Sequence, residues 1–215
     1  MASVKNVTAL TRNYIVSHPS IRDALLKGLI NYSALSRLIC AEYRLDAFDA
    51  VLAACRRYRT RVKVPRSQEA TVRNLIQTSR MLIRNKIMVA IIDKPRDFKK
   101  FHELRALVRR GRGDFNLVEG EEVVTVITSE DFEKDVRLFF RNKIIKLEKN
   151  LVQVSLIFNR KIETTPGVVS YIYSLLAEHG INILEEMSCW TDLLLVIEER
   201  ALPHTLEVLG SRGLK

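Results

Sequence analysis

The sequence predicts an α+β chain, with an all-helical N-terminal part followed by two tandem copies of one βαββα unit. Three observations predict it. Apolar residues recur at helical spacing through the first 64 residues. Three short strand-like segments then recur in order: Asn85–Ile92 as Asn150–Ile157, Gly113–Leu117 as Gly180–Leu184, and Val124–Glu130 as Leu194–Arg200, at offsets of 65 to 70 residues. A duplicated unit is the simplest cause of such an ordered echo. Finally, Thr164-Thr165-Pro166-Gly167-Val168-Val169 followed by Gly180-Ile181-Asn182-Ile183 reads as turn, helix, turn and strand.

The elements follow in chain order. Ser3 caps a first helix bearing Val4, Val7, Leu10 and Tyr14. Ser20 and Asp23 form a capping box for a second helix, closed by Gly28. Ser33 opens a third helix with Leu35, Leu38 and Ile39 apolar, and Asp46 caps a fourth with Phe48, Val51, Leu52, Cys55 and Tyr58 on one face. Residues 1–64 thus form a helical, helix-turn-helix-like domain, and residues 65–80 a linker helix. A first unit occupies 81–149, with strands 86–92, 114–119 and 122–128 and helices 97–110 and 130–141. A second occupies 150–215, with strands 150–158, 181–187 and 192–198 and helices 166–179 and 201–210. Ile144–Leu147 supplies a fourth strand to the first unit. For the second, Arg80–Arg84 closes the sheet in a permuted arrangement, or the unit is truncated, or the strand is missing.

Composition narrows the function. Residues 1–66 hold 12 Lys and Arg against 4 Asp and Glu, a net +8, while the other 149 residues carry +2. Such asymmetry points to a polyanion met by one half of the molecule. No apolar run reaches the roughly 18 residues that span a bilayer, and Met1–Lys5 lacks a signal-peptide pattern, so a cytoplasmic protein without a membrane partner is expected. Cys40, Cys55 and Cys189 are odd in number and lack metal spacing; they read as small buried hydrophobes. His18, His102, His179 and His204 are scattered. Walker loops, dinucleotide glycine triads, nucleophile elbows and metal pairs are missing, so no catalytic residue, metal or cofactor is expected. Glu185 and Glu186 are adjacent on a strand and point to opposite faces, which makes them poor acid–base partners.

The Pro166-Gly167-Val168 turn, the helix ending near Gly180 and the Ile181-Asn182-Ile183 strand start resemble the ACT domain, a ligand-binding module of amino-acid metabolism with βαββαβ, ferredoxin-like topology. The aspartokinase regulatory tail is the nearest echo. The resemblance covers residues 81–215. It implies that Thr165, Pro166, Gly167, Val168, Val169, Asn182 and Ile183 contact an amino-acid effector at an interface between units. The physical chemistry agrees: free N–H groups at a helix start suit a carboxylate, and an Asn amide can bond either end of a zwitterion. The first copy departs from the pattern, with Asp93-Lys94-Pro95-Arg96-Asp97 in place of Pro-Gly, and is expected to be degenerate and structural.

The second candidate site is the basic run Arg56, Arg57, Arg59, Arg61 and Lys63. Two helices joined by a turn at Arg44-Leu45 resemble a helix-turn-helix, whose second helix would bring these cations to duplex DNA. The whole resembles archaeal ACT-containing regulators of amino-acid metabolism. An amino-acid-responsive, homo-oligomeric transcriptional regulator is therefore expected, or else a regulatory subunit of a biosynthetic enzyme that does not touch DNA.

Overall fold

The computed structural model describes residues 4–62 and 68–210, which divide into a helical unit ending at residue 67 and a sheet unit beginning at residue 68. In the helical unit α1 (Val4–Ser17), α2 (Pro19–Lys27), α3 (Tyr32–Tyr43) and α4 (Phe48–Arg61) enclose one core. Val7, Tyr14, Ile15, Leu25, Leu35, Ile39, Val51 and Cys55 fill it, with Tyr58 packed at its margin.

The helix caps differ from the expected ones. Helix α2 starts at Pro19, whose fixed φ and missing N–H suit a first helical position, and no side chain caps it. Ser20 therefore lies inside the first turn, and Asp23 pairs with Lys27 at 2.9 Å. Asn31, not Ser33, caps α3, its Oδ1 accepting from the Ala34 N–H at 3.1 Å. Helix α4 follows Ala47 without a side-chain cap, which leaves Asp46 outside it. Gly28 does close α2, in the left-handed region at φ 75°. Ser3 and Lys63 lie outside the described residues.

The sheet unit contains α5 (Gln68–Gln77), β1 (Arg80–Asp93), α6 (Lys99–Arg110), β2 (Phe115–Glu119), β3 (Val123–Ser129), α7 (Glu133–Phe140), β4 (Ile144–Ile157), α8 (Val168–Glu178), β5 (Glu185–Cys189), β6 (Asp192–Glu198) and α9 (Leu202–Leu209). Its strands form one antiparallel sheet in the order β2-β3-β1-β4-β6-β5.

The central strands β1 and β4 each run for 14 residues, because each serves both copies. The first half of β1, Arg80–Arg84, pairs with Gln153–Ile157, while its second half pairs with Ile144–Glu148. The first copy's four-stranded sheet is thus completed by Ile144–Glu148 at the start of β4 and the second copy's by Arg80–Arg84 at the start of β1, so the permuted alternative is the one found. The pairing breaks register between Arg84 and Ile87 and again before Val89. Lys86 and Asn150 sit at these breaks in the left-handed region, at φ 53° and 58°. Such bulges bend a strand and sharpen its twist.

Helices cover one face of the sheet over two cores. Met88, Ala90 and Ile92 pack with Phe101, Leu104 and Val108 of α6 and with Val136 and Phe140 of α7. Val152, Val154 and Leu156 pack with Ile172 and Leu176 of α8 and Val208 of α9. Val72, Leu75 and Ile76 of α5 are buried in that second core, so the segment read as a linker is a third helix of the second copy. The Ile181-Asn182-Ile183 segment also differs from expectation. Gly180 is left-handed at φ 69°, and the Ile181 N–H donates to the Leu176 carbonyl at 2.9 Å. That donor completes the end of α8 instead of a sheet ladder, and β5 starts only at Glu185.

The other face carries a third cluster: Ile87, Val89, Ile127, Leu151 and Val196, buried with Leu184 and Met187 beside them. It is enclosed by curling. The Asn116 side chain on edge strand β2 donates to the Gln153 Oε1 on β4 at 3.1 Å. Those strands stand three places apart, roughly 14 Å in a flat sheet, so the sheet folds over at the bulges. From the opposite edge, Glu185 of β5 comes close enough to Glu148 and Lys146 of β4 to feel their charges.

Candidate functional site

The Pro166-Gly167 turn is built as the sequence suggests. Gly167 occupies the N-cap of α8 at φ 90°, no side chain caps the helix, and a Cβ added there would meet nothing within 4 Å. The first-turn N–H groups therefore open outward beside exposed Pro166. Thr165 is already engaged: its hydroxyl donates to the Lys161 carbonyl at 2.7 Å and its N–H to the Ile162 carbonyl at 3.3 Å. Val168 is buried in the core and anchors the turn, while Val169 is half-buried.

Asn182 and Ile183 lie at the other end of the same helix. Asn182 is exposed in the connection before β5, and Ile183 packs its side chain against the core. Helix α8 has 11 residues, so about 16 Å separates its two ends. Within one chain the structure does not bring the turn and Asn182 together around a single small molecule. Asn116, which keeps a place in the first copy similar to that of Asn182, is instead part of a strand and bonded across the fold of the sheet.

The basic run lies along the last turns of α4. Val51, Ala54 and Cys55 face the core. At about 100° per residue, Arg56 and Arg59 fall on one flank and Arg57 and Arg61 on the other, all exposed. Arg59 donates to the Tyr32 hydroxyl at 3.1 Å, and its guanidinium lies over Gly28 so closely that a Cβ there would clash at 2.6 Å. Arg57 Nε donates back to the Ala53 carbonyl at 3.3 Å. The turn between α3 and α4 has no glycine, and Arg44 takes the left-handed position at φ 51°. Asp49, in the first turn of α4, suits the positive end of the helix dipole.

Other titratable groups have local roles. Glu185 and Glu186 do point to opposite faces. Burial and a hydrogen bond from the phenol to Glu186 push Tyr173 of α8 up to about 12, while burial and the nearby Glu148 raise the Glu185 carboxyl. Burial also raises the Cys55 thiol. Cys189, expected to be buried, is exposed at the end of β5. Among the described residues there is no group of three or more His, Cys, Asp or Glu side chains placed to hold a metal, and no helix is long and apolar enough to cross a membrane.

Sequence reasoning missed one constellation. Arg84, Asp114, Asn116, Gln153, Ser155 and Asp192 line a single cavity inside the folded sheet. The only local signal is polar Gln153 and Ser155 at alternate positions of the otherwise aliphatic run Leu151–Ile157.

The chain matches no family model and no curated protein. Solved structures do resemble it. An aspartate kinase from Clostridium acetobutylicum, described as an allosteric enzyme, superposes with a TM-score of 0.51 at 11% identity, over 60% of this chain and 33% of its own. Aspartate kinase from Synechocystis gives 0.50 at 15% identity, over 62% and 26%. The ligand-free regulatory subunit of aspartate kinase from Thermus thermophilus gives 0.49 at 12% identity, over 62% and 95%. The chain spans about a third of the length of the first enzyme. Since the helical unit ends at residue 67 of 215, an overlap of 60% is longer than that unit and extends into the sheet unit. At these identities the likeness is one of fold: the chain shares its α+β architecture with part of the aspartate kinases from Clostridium acetobutylicum and Synechocystis.

Proposed function

We propose that this chain is an amino-acid-responsive regulatory protein. The observation that carries the reading is the open, uncapped start of α8 at Pro166-Gly167, on an α+β sheet of ACT type. A free amino acid offers a carboxylate to those N–H groups. Because Asn182 stands about 16 Å away along α8, the effector in this reading lies between two chains, the turn of one facing Asn182 and Ile183 of the other. Binding then biases how the chains pair.

The helical unit is the output. Its net +8 and the arginines on both flanks of α4 suit a helix lying between the two phosphate rows of a duplex groove, which supports reading the protein as a transcriptional regulator. A second reading, a regulatory subunit docking on a biosynthetic enzyme, is favoured by apolar side chains on the same unit. Leu29 is 77% exposed and Leu38 50%, which suits a protein surface better than phosphate.

Thermal melting over the common amino acids tests the effector. An amino acid at about 100 times its Kd adds about 2.7 kcal/mol to the folded state. Gly167→Val and Asn182→Ala should each abolish the shift, and a wild type that no amino acid shifts at millimolar concentration would refute the reading.

A further inference from the structure

The cavity inside the folded sheet has a volume of about 290 Å³, at the small end of the roughly 300–1,000 Å³ typical of ligand pockets. Its lining is polar where a sheet interior is ordinarily aliphatic. Gln153 is 1% exposed and Ser155 4%. Asn116 Nδ2 donates to Gln153 Oε1 at 3.1 Å, and Gln153 Nε2 donates to Ser155 Oγ at 3.0 Å. A buried amide must find partners to avoid a desolvation cost, a demand that aliphatic side chains escape, and the neighbouring cluster of Ile87, Val89, Leu151 and Val196 shows that such side chains fill the same face.

The charges are arranged in order. Arg84 Nε donates to Asp114 Oδ1 at 2.6 Å, leaving the two terminal guanidinium nitrogens and the second carboxylate oxygen outside that contact. Both side chains are more than a third exposed, so solutes reach them. Asp114 is held firmly: its N–H donates to the Ser129 hydroxyl at 3.0 Å and its carbonyl accepts from Thr128 Oγ1 at 2.6 Å. At the far end of the cavity stands Asp192, one oxygen of which accepts from the Thr191 hydroxyl. Arg84 pairs with Gln153, Leu82 with Ser155 and Arg80 with Ile157, and Asp192 pairs with Ile157 on the other side of β4. Arg84 and Asp192 are therefore four residues apart along the strands and two strands apart across the sheet, roughly 16 Å between backbones. The guanidinium stem and a lysine-length ligand together span that interval.

We infer that this cavity binds an α-amino acid with a cationic side chain, its carboxylate on Arg84, its ammonium on Asp114 and its side-chain cation on Asp192. One guanidinium and two carboxylates leave the empty site at a net −1, which a ligand with two cations and one anion neutralises. The site differs from the Pro166-Gly167 turn, and the inference rests on the amino-acid-responsive reading above. Because Arg84 and Gln153 belong to strands shared by both copies, an occupant would tie the two halves of the sheet together.

Calorimetric titration of the full chain with L-lysine tests this, with L-norleucine as the probe lacking the side-chain cation and cadaverine as the probe lacking the carboxylate. Lysine should bind, and each probe should bind roughly 10- to 100-fold more weakly, the range for losing a hydrogen bond to a charged group. Arg84→Gln and Asp192→Asn should weaken lysine by a similar factor while melting as cooperatively as wild type. If Arg84→Gln fails to fold, Asp192→Asn decides, since its side chain is nearly isosteric. Norleucine binding as tightly as lysine would overturn the assignment. So would lysine binding that survives Asp192→Asn but is lost in Gly167→Val or Asn182→Ala, a result that would leave the amino-acid-responsive reading standing. Failure of every common amino acid to bind would remove both.

Discussion

Glu185 shows how one side chain records the fold of the sheet. Its carboxyl is raised above the ordinary 4.5, first by burial and then by Glu148, with Lys146 acting the other way. The folded state therefore holds this proton more tightly than the unfolded chain does. Its stability contribution is complete below the unfolded value and is lost as pH rises through the raised folded value. Glu185→Gln fixes the neutral form and should lose less stability than wild type between acid and neutral pH. Urea midpoints for the two proteins at a series of pH values check this, and parallel curves would show that the sheet does not close over Glu185. Tyr173 is a second reporter: in an ultraviolet titration its phenol should ionise only near 12, and Glu186→Gln should bring that transition down.

At the scale of elements, periodicity found almost every helix and strand, because each has one apolar face against a core. It missed features fixed by backbone geometry or by distant partners. Lys86 gives no sign in the sequence of a left-handed conformation, so the long strands β1 and β4 read as shorter pieces. Ser20, Ser33 and Asp46 are sound capping residues displaced by better local solutions, among them Pro19 at a first helical position and Asn31 as a cap. Of the candidate sites, the Pro166-Gly167 turn was legible because its chemistry is local. The cavity around Gln153 was not, since its lining comes from β1, the start of β2, β4 and β6 and meets only after the sheet folds. The bulge itself is testable. A left-handed conformation costs an L-residue roughly 1–2 kcal/mol, most for β-branched side chains. Lys86→Val should therefore lower stability by about that amount, whereas Lys86→Gly should be neutral or slightly stabilising. Denaturant unfolding of both variants measures the difference, and equal effects would mean that residue 86 is not left-handed in solution.

For the molecule as a whole, the proposed function needs two chains. Edge strands β2 and β5 end the sheet, and unpaired edges call for cover. Light scattering should report a mass of at least twice 24.7 kDa at micromolar concentration, and a monomer throughout would sink the paired-effector arrangement. If the helical unit meets duplex DNA, affinity should fall steeply with salt. Replacing Arg56, Arg57 and Arg59 together by Ala should flatten that slope by roughly one unit per lost phosphate contact. Binding that is absent from the wild type at low salt would favour the enzyme-docking reading.

The strand exchange between the two copies also bears on how such a chain is made and inherited. During synthesis Arg80–Arg84 emerges before its neighbour Gln153–Ile157, so the earliest strand waits for the late half of the sheet while the first copy waits for Ile144–Glu148. A gene cut in the link between α7 and β4 would yield two fragments, each lacking one strand of its own sheet. Neither should fold alone, yet mixed together they should restore the native pairing. Duplication is the simplest source of two similar units, but the continuous strands β1 and β4 make them a single inheritable object: a cut between α7 and β4 leaves each half without one strand of its sheet.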